Sequence, residues 1–316
     1  MSRSAPPRDA ASVIAQEFLV DDPCSVSIDL PGAHTRLRPG PEKDRIEVNV
    51  SVVGCGPERA EKILDRMQVG THQLQDTVRL YSDADRDRSD AEWWRWVRTL
   101  DVTIHADLRI PSRVDADIRV PGGEVDLANL TGHVDVQVIG GPCRTENLEG
   151  TLKIQAESSD VSVHGFSGDQ LDARVTVGSL GVENVEAETV AARTTAAPLA
   201  LTSVRGTTTV TARSAPVDLQ DVNGPCTAHV EGGTLSYEGT PTGEIQLRGA
   251  GVSIDARLPH SHDADLAMTG ATLSLADAFA FEGERTDQEI EGRLNDGGPP
   301  FQMHVTGGGT ARCHPA

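Results

Sequence analysis

Apolar positions from residue 111 onward recur in one register. Cutting the chain before Asn129, Asn147, Gly165, Asn184, Ser203, Asp221 and Gly239 gives pieces of 18, 18, 19, 19, 18 and 18 residues, and one further unit of 18 fits upstream over 111–128. Within the units, Val134, Leu152, Leu171 and Val190 share one column, Val136, Ile154, Ala173 and Ala192 the next, and Val138, Ala156 and Val175 a third. Two residues separate successive columns, the period of a strand with one buried face. A second alternating pair closes each unit, as in Val125/Leu127, Val161/Val163, Leu199/Leu201 and Val217/Leu219. A briefer apolar contact follows the cut: Leu130, Leu148, Phe166, Val185, Val204 and Val222. Turn formers such as GG, SSD, AAP and SAP lie between the strands.

A period near 20 residues marks stacked repeats. One such unit buries too few small side chains to offset the entropy of ordering it, so it is stable only when neighbouring coils pair their backbone edges. The pattern therefore predicts an all-β fold, a parallel β-solenoid of 18–19-residue coils. Right-handed winding is expected, as for most parallel crossovers. A β-meander or sandwich also shows short strands at close spacing, but does not require one register held over eight units.

The flanks differ. Residues 1–17 read as a disordered tail. Residues 18–110 read as a β-rich part continuous with the solenoid, with strands at 26–30, 45–53, 77–82 and 97–110. A helix is predicted over 57–67: Pro57 suits a first turn, and Ala60, Ile63, Leu64 and Met67 form an i, i+3, i+4, i+7 stripe. Regular coils cover 111–280, with Ala264, Leu266, Met268, Leu273 and Leu275 as the last of them. Residues 281–316 read as a terminal coil or cap and tail, with a final strand at FQMHV.

The entry FLVDDPCSVSIDLPGAHTRLRPGPEKDRIEVNV, the helix PERAEKILDRM, the run TIHADLRIPSRVDADIRVPGGEVDLANLTGHVDV and the repeated NLxG-type turns together resemble the bacterial "putative adhesin" family of uncharacterised β-solenoid proteins. The resemblance covers the chain from about residue 18. It implies a β-helical fold and an adhesin-like binding role, and it supplies no catalytic residues.

Composition narrows the function classes. Aromatic residues are 3% of the chain, which suits a slim aliphatic interior. A net charge of −20 opposes nucleic acid, whose phosphates need a basic patch, and opposes anionic lipid surfaces. No stretch approaches the roughly 20 apolar residues of a membrane span, and none near the N-terminus has signal-peptide length. The five cysteines, Cys24, Cys55, Cys143, Cys226 and Cys313, are odd in number and form no CxxC pair. Reduced thiols and a cytoplasmic location are the expectation.

Named catalytic motifs are absent: no G-x-S-x-G, no H-E-x-x-H and no P-loop Gly-Lys. Cys143 and Cys226 each follow Gly-Pro but fall in core columns. His260-Ser261-His262-Asp263 is too loose a spacing to specify a metal, which needs three or four converging ligands. Trp93, Trp94 and Trp96 are all the tryptophans; they could pack a core or cap, or stack on a sugar or partner. Equal outward positions of successive coils should stack. Asp117, Asp135 and Lys153 then form one row, beside Asp115, His133 and Thr151. Two adjacent carboxylates suggest a retaining glycosidase pair, and a solvated face balanced by Arg119, His133 and Lys153 is the simpler reading.

The expectation is a non-enzymatic solenoid scaffold or binding protein. It needs no cofactor and no metal, its partner is a protein or glycan surface, and its contact patch is Asp115, Asp117, His133, Asp135, Lys153 and Trp93. A polymerising scaffold like the bactofilins and a carbohydrate-active β-helix enzyme using Asp117 and Asp135 are the rivals.

Overall fold

The computed structural model describes residues 10–83, 99 and 101–316. Among them the protein is all-β, with 21 strands hydrogen-bonded in one mixed sheet and one α-helix, α1 (Pro57–Arg66). The chain forms two compact units, Met1–Ser159 and Asp160–Ala316.

The first unit holds β1 (Ala10–Leu19), β2 (Cys24–Asp29), β3 (Ala33–Pro39), β4 (Arg45–Val53), β5 (Val69–Leu74), β6 (Thr77–Ser82), β7 (Thr103–Ile110), β8 (Val114–Pro121), β9 (Glu124–Ala128), β10 (Thr131–Ile139) and the start of β11 (Cys143–Thr195). They form two ladders. One runs β5, β6, β2, β8, β10, β11 and is parallel from β6 onward. The other runs β1, β4, β7, β3, β9, β11 and is parallel from β7 onward. Register follows the repeat: Ala116, Val134 and Leu152 pair in file, as do Ile118, Val136 and Ile154. All six are buried.

Two features of this unit depart from the sequence reading. The expected tail 1–17 contains β1, which pairs with β4 from Ala10 to Leu19; the antiparallel neighbour covers an edge that would otherwise be open. The strand expected over 97–110 begins at Thr103. The helix lies where expected, with Ala60, Ile63, Leu64 and Met67 buried.

In the second unit, β11 continues and is followed by β12 (Leu199–Arg213), β13 (Val217–Asn223), β14 (Cys226–Glu238), β15 (Ile245–Leu258), β16 (Ala264–Thr269), β17 (Thr272–Leu275), β18 (Phe281–Arg285), β19 (Glu289–Leu294), β20 (Pro300–Thr306) and β21 (Thr310–Pro315). Parallel pairs again repeat at 18 or 19 residues, as in Val190–Thr208, Thr208–Cys226 and Cys226–Ile245. The extra residue of the 184–202 unit sits at Ala187–Glu188, because Val185 pairs with Val204 whereas Thr189 pairs with Thr207. The end of this unit breaks chain order. β20 and β21 pair with β15 on one side and with β16 and β17 on the other. The expected cap or tail of 281–316 is thus a charged hairpin, β18–β19, followed by two strands, β20 and β21, inserted between β15 and the pair β16 and β17.

Two corners recur, each built on a left-handed residue. One column is Asn129, Asn147, Gly165, Asn184, Ser203 and Asp221, with φ between +51° and +68°. The other is Gly122, Gly140, Ser158, Val177, Ala196, Ser214, Gly232 and Gly251, with φ between +50° and +76°. Asparagine and glycine tolerate this region best, which accounts for the NLxG recurrence. The Asn147 amide donates to Asn129 Oδ1 at 3.3 Å, so stacked corners also bond to each other. Val177 is the exception. It is β-branched, holds φ +61° and is half exposed. Replacing it by Asn should raise stability by about 1 kcal/mol, since a left-handed β-branched residue carries roughly that strain and little burial is lost. A thermal melt of the Val177→Asn protein checks this; an unchanged or lower midpoint contradicts it.

The interior is aliphatic. Cys24, Cys143, Cys226 and Cys313 are buried within it, and desolvation pushes their thiols up, to about 11 for Cys24 and about 12 for the others. They are packing residues, as the columns predicted for Cys143 and Cys226.

Candidate binding surface

Outward side chains of the first ladder lie in straight rows across the strands. One row reads Thr77, Ser25, Asp115, His133, Thr151; the next reads Arg79, Ser27, Asp117, Asp135, Lys153. Neighbours in a row are one strand spacing apart, about 4.8 Å. Ser25 and Ser27 are short and flanked by longer side chains. Their strand therefore forms the floor of a depression of about 370 Å³, whose lining includes Thr77, Asp115, Asp117, His133 and Asp135.

Each wall residue is held differently. Asp115 Oδ1 accepts the His133 backbone N–H at 3.0 Å, which fixes the carboxylate and leaves the imidazole exposed. Lys153 Nζ donates to Asp135 Oδ2 at 2.5 Å, a pair that is partly shielded from water. The other Asp135 oxygen, Oδ1, is buried and has no hydrogen-bond partner. Asp117 is exposed and has no ion-pair or hydrogen-bond partner among the described residues. The depression is therefore acidic, carries several hydroxyls and is only partly neutralised by Lys153.

Of the residues expected from sequence, Asp115, Asp117, His133 and Asp135 line the depression, and Lys153 follows Asp135 in its row. Trp93, with Trp94 and Trp96, lies outside the described residues. Ser25, Ser27 and Thr77 were not anticipated, because Ser25 and Ser27 lie 90 residues before their partners Asp115 and Asp117, and Thr77 lies 52 residues after its partner Ser25. His260 and His262 have different surroundings. The His260 ring lies 6.2 Å from the Phe279 ring. His262 is buried with Nε2 unpartnered, and desolvation lowers its pKa.

The second ladder of this unit carries an ion-pair network. Arg36 reaches both Asp107 and Asp126, Arg38 donates to Asp126 at 2.9 Å, and the His34 and His105 rings meet edge to face at 5.1 Å. Burial and the neighbouring His34 lower the His105 pKa. Most of these charges pair with one another, while Arg38 Nη1 is buried without a hydrogen-bond partner among the described residues.

Among the described residues no helix is long and apolar enough to cross a membrane. No family model matches the chain, and no curated protein matches it. Solved structures show a loose likeness. A protein described as a "putative lipid binding protein" from Parabacteroides distasonis is 10% identical, with 97% of each chain covered and a TM-score of 0.39. A "putative adhesin" from Bacteroides fragilis is 12% identical, covering 98% of this chain and 99% of that one, at 0.32. A "putative cell adhesion protein" from Clostridium sporogenes is 8% identical, covering 95% and 98%, at 0.23. Likeness at this level transfers no ligand and no activity.

Proposed function

We infer that the chain is a non-enzymatic binding scaffold of the adhesin-like kind, a parallel β-solenoid that presents fixed rows of side chains to a protein or glycan surface. The observation that carries this reading is the hollow over Ser25 and Ser27, walled by Asp115, Asp117, His133 and Asp135. Parallel pairing in constant register holds the rows rigidly, so a partner pays little ordering cost on the scaffold side. Five free thiols support a cytoplasmic setting.

A polymerising scaffold is the less favoured reading. End-to-end growth by coil stacking needs an open parallel edge of matching register. In the first unit both ladders instead finish in antiparallel strands, β5 and β1.

Affinity capture from the native cell tests the proposal, with the wild-type chain and a Ser27→Arg variant as baits. Ser27 points outward, so arginine there fills the hollow without entering the core. A partner or glycan held by the wild type and lost by the variant is the expected result. Equal capture by both would overturn the assignment of the surface. Mass that rises with concentration in sedimentation would favour the polymer. Glycan cleavage lost on replacing Asp117 and Asp135 by Asn would favour the enzyme.

A further inference from the structure

The second unit carries a depression of opposite chemical character. It measures about 430 Å³ and is lined by Arg205, Asn223, Gly224 and Thr242. These residues occupy the same corner on successive turns: Arg205 pairs with Asn223 in the β12–β13 ladder, and the Gly224 N–H donates to Thr242 Oγ1 at 3.0 Å.

Hydrogen-bond inventory gives the site its sign. Arg205 is exposed and has no ion-pair or hydrogen-bond partner among the described residues. Because Thr242 Oγ1 already accepts from Gly224, its hydroxyl hydrogen is free to donate. Asn223 Nδ2 donates to the Asp221 carbonyl at 3.2 Å and has a second hydrogen to spare. No carboxylate lines the depression, although the chain carries a net charge of −20. Glu186 is the cross-strand neighbour of Arg205 yet forms no ion pair with it within 4.0 Å. Glu244 accepts from the Gln246 side chain at 2.6 Å.

We propose that this corner is a binding site for an oxyanion-bearing ligand, with Arg205 as the charged fork and Thr242 and Asn223 as neutral donors. The planar guanidinium offers two parallel N–H bonds to a carboxylate, sulfate or phosphate group. Thr242 and Asn223 then supply hydrogen bonds to the same group or to a hydroxyl beside it. The stacked glycines keep the ledge free of side chains: a Cβ on Gly224 would lie 2.7 Å from the Gly206 carbonyl oxygen.

The test is calorimetric titration of the full chain with sodium glucuronate, sulfate and phosphate, each at ionic strength matched with chloride. Saturable binding of at least one of them at one site per chain is expected. Glucuronate alone would identify a sugar acid, and all three would identify a general oxyanion site. Arg205→Gln should weaken binding about tenfold or more, the scale of a charge-assisted bidentate contact. Arg248→Gln, on an exposed arginine elsewhere in the unit, should leave it unchanged. Glu186→Gln should tighten binding, because it removes the carboxylate on the strand beside Arg205, and it carries the test if Arg205→Gln fails to fold. No saturation with any of the three anions overturns the proposal. So does affinity that is indifferent to both Arg205→Gln and Glu186→Gln.

Discussion

Replacing Gly206 by alanine should cost about 3–5 kcal/mol, although only one methyl group is added. Gly206 holds φ +127°, a conformation open to almost no residue with a side chain. A Cβ there would lie 1.8 Å from the carbonyl oxygen of Ala187 on the preceding turn. Ala187 is part of the bulge that adds a nineteenth residue to that turn, so two backbones already meet at their closest approach. The methyl can be accommodated only if the two turns separate, which breaks parallel hydrogen bonds on both sides of the corner. Since domains have only about 5–15 kcal/mol of net stability, the loss should be plain in urea unfolding. Thr209→Ala, at an exposed outward position of the same strand, should stay within about 0.5 kcal/mol of wild type. Equal midpoints for the two variants would contradict the stacked-corner account.

A chain ending at Gly298 should lose much more than its last strands. β20 and β21 lie between β15 and the earlier pair β16 and β17. Removing them deprives β17 of its parallel partner and uncovers Ile245, Leu247 and Tyr237. Phe301, Met303 and Val305, all buried, leave with them. These three side chains alone account for roughly 5–9 kcal/mol of burial, an upper bound. The Phe301 ring, which meets Tyr237 edge to face at 5.6 Å, adds a further specific contact. Hydrogen exchange should show Thr272–Leu275 unprotected in the shortened chain, with protection over 114–157 kept. Ala264–Thr269 keeps its antiparallel partner β19, so retained protection at Thr272–Leu275 is the result that would refute the inserted-strand arrangement. Terminal segments ordinarily fray; this one is central to its ladder.

Much of the fold was legible because period two inside period eighteen leaves few alternatives. Val134 over Leu152 and Val136 over Ile154 follow from the columns alone, and the pairing repeats them residue for residue. The glycine and asparagine corners were legible for the same reason. One further signal was present in the chain and was not used. CSVSIDLPGAHTRL at 24–37 matches VDADIRVPGGEVDL at 114–127 position by position, with Ile28 over Ile118, Pro31 over Pro121, Gly32 over Gly122 and Leu37 over Leu127. The offset is 90 residues, five units of 18, and it is the offset at which β2 and β3 pair with β8 and β9. Extending the columns across the intervening helix would have placed Ser25 and Ser27 beside Asp115 and Asp117. No comparable signal marks Arg205, because an unpaired arginine in sequence looks like any paired one.

The amino-acid sequence by itself determined, from residue 111 onward, the inward faces of the strands, the eighteen-residue step and the corner residues. These are local or periodic properties: alternation sets which side is buried, and left-handed φ selects Gly and Asn. Tertiary structure alone decided where strand order departs from chain order within each unit, so that 24–39 lies beside 114–128 in the first and 300–315 is inserted ahead of 264–275 in the second. It also decided which outward side chains find partners, so that Lys153 holds Asp135 while Asp117 and Arg205 remain open. A strand edge accepts any chain segment of matching register, so sequence distance places no limit on which segment fills it.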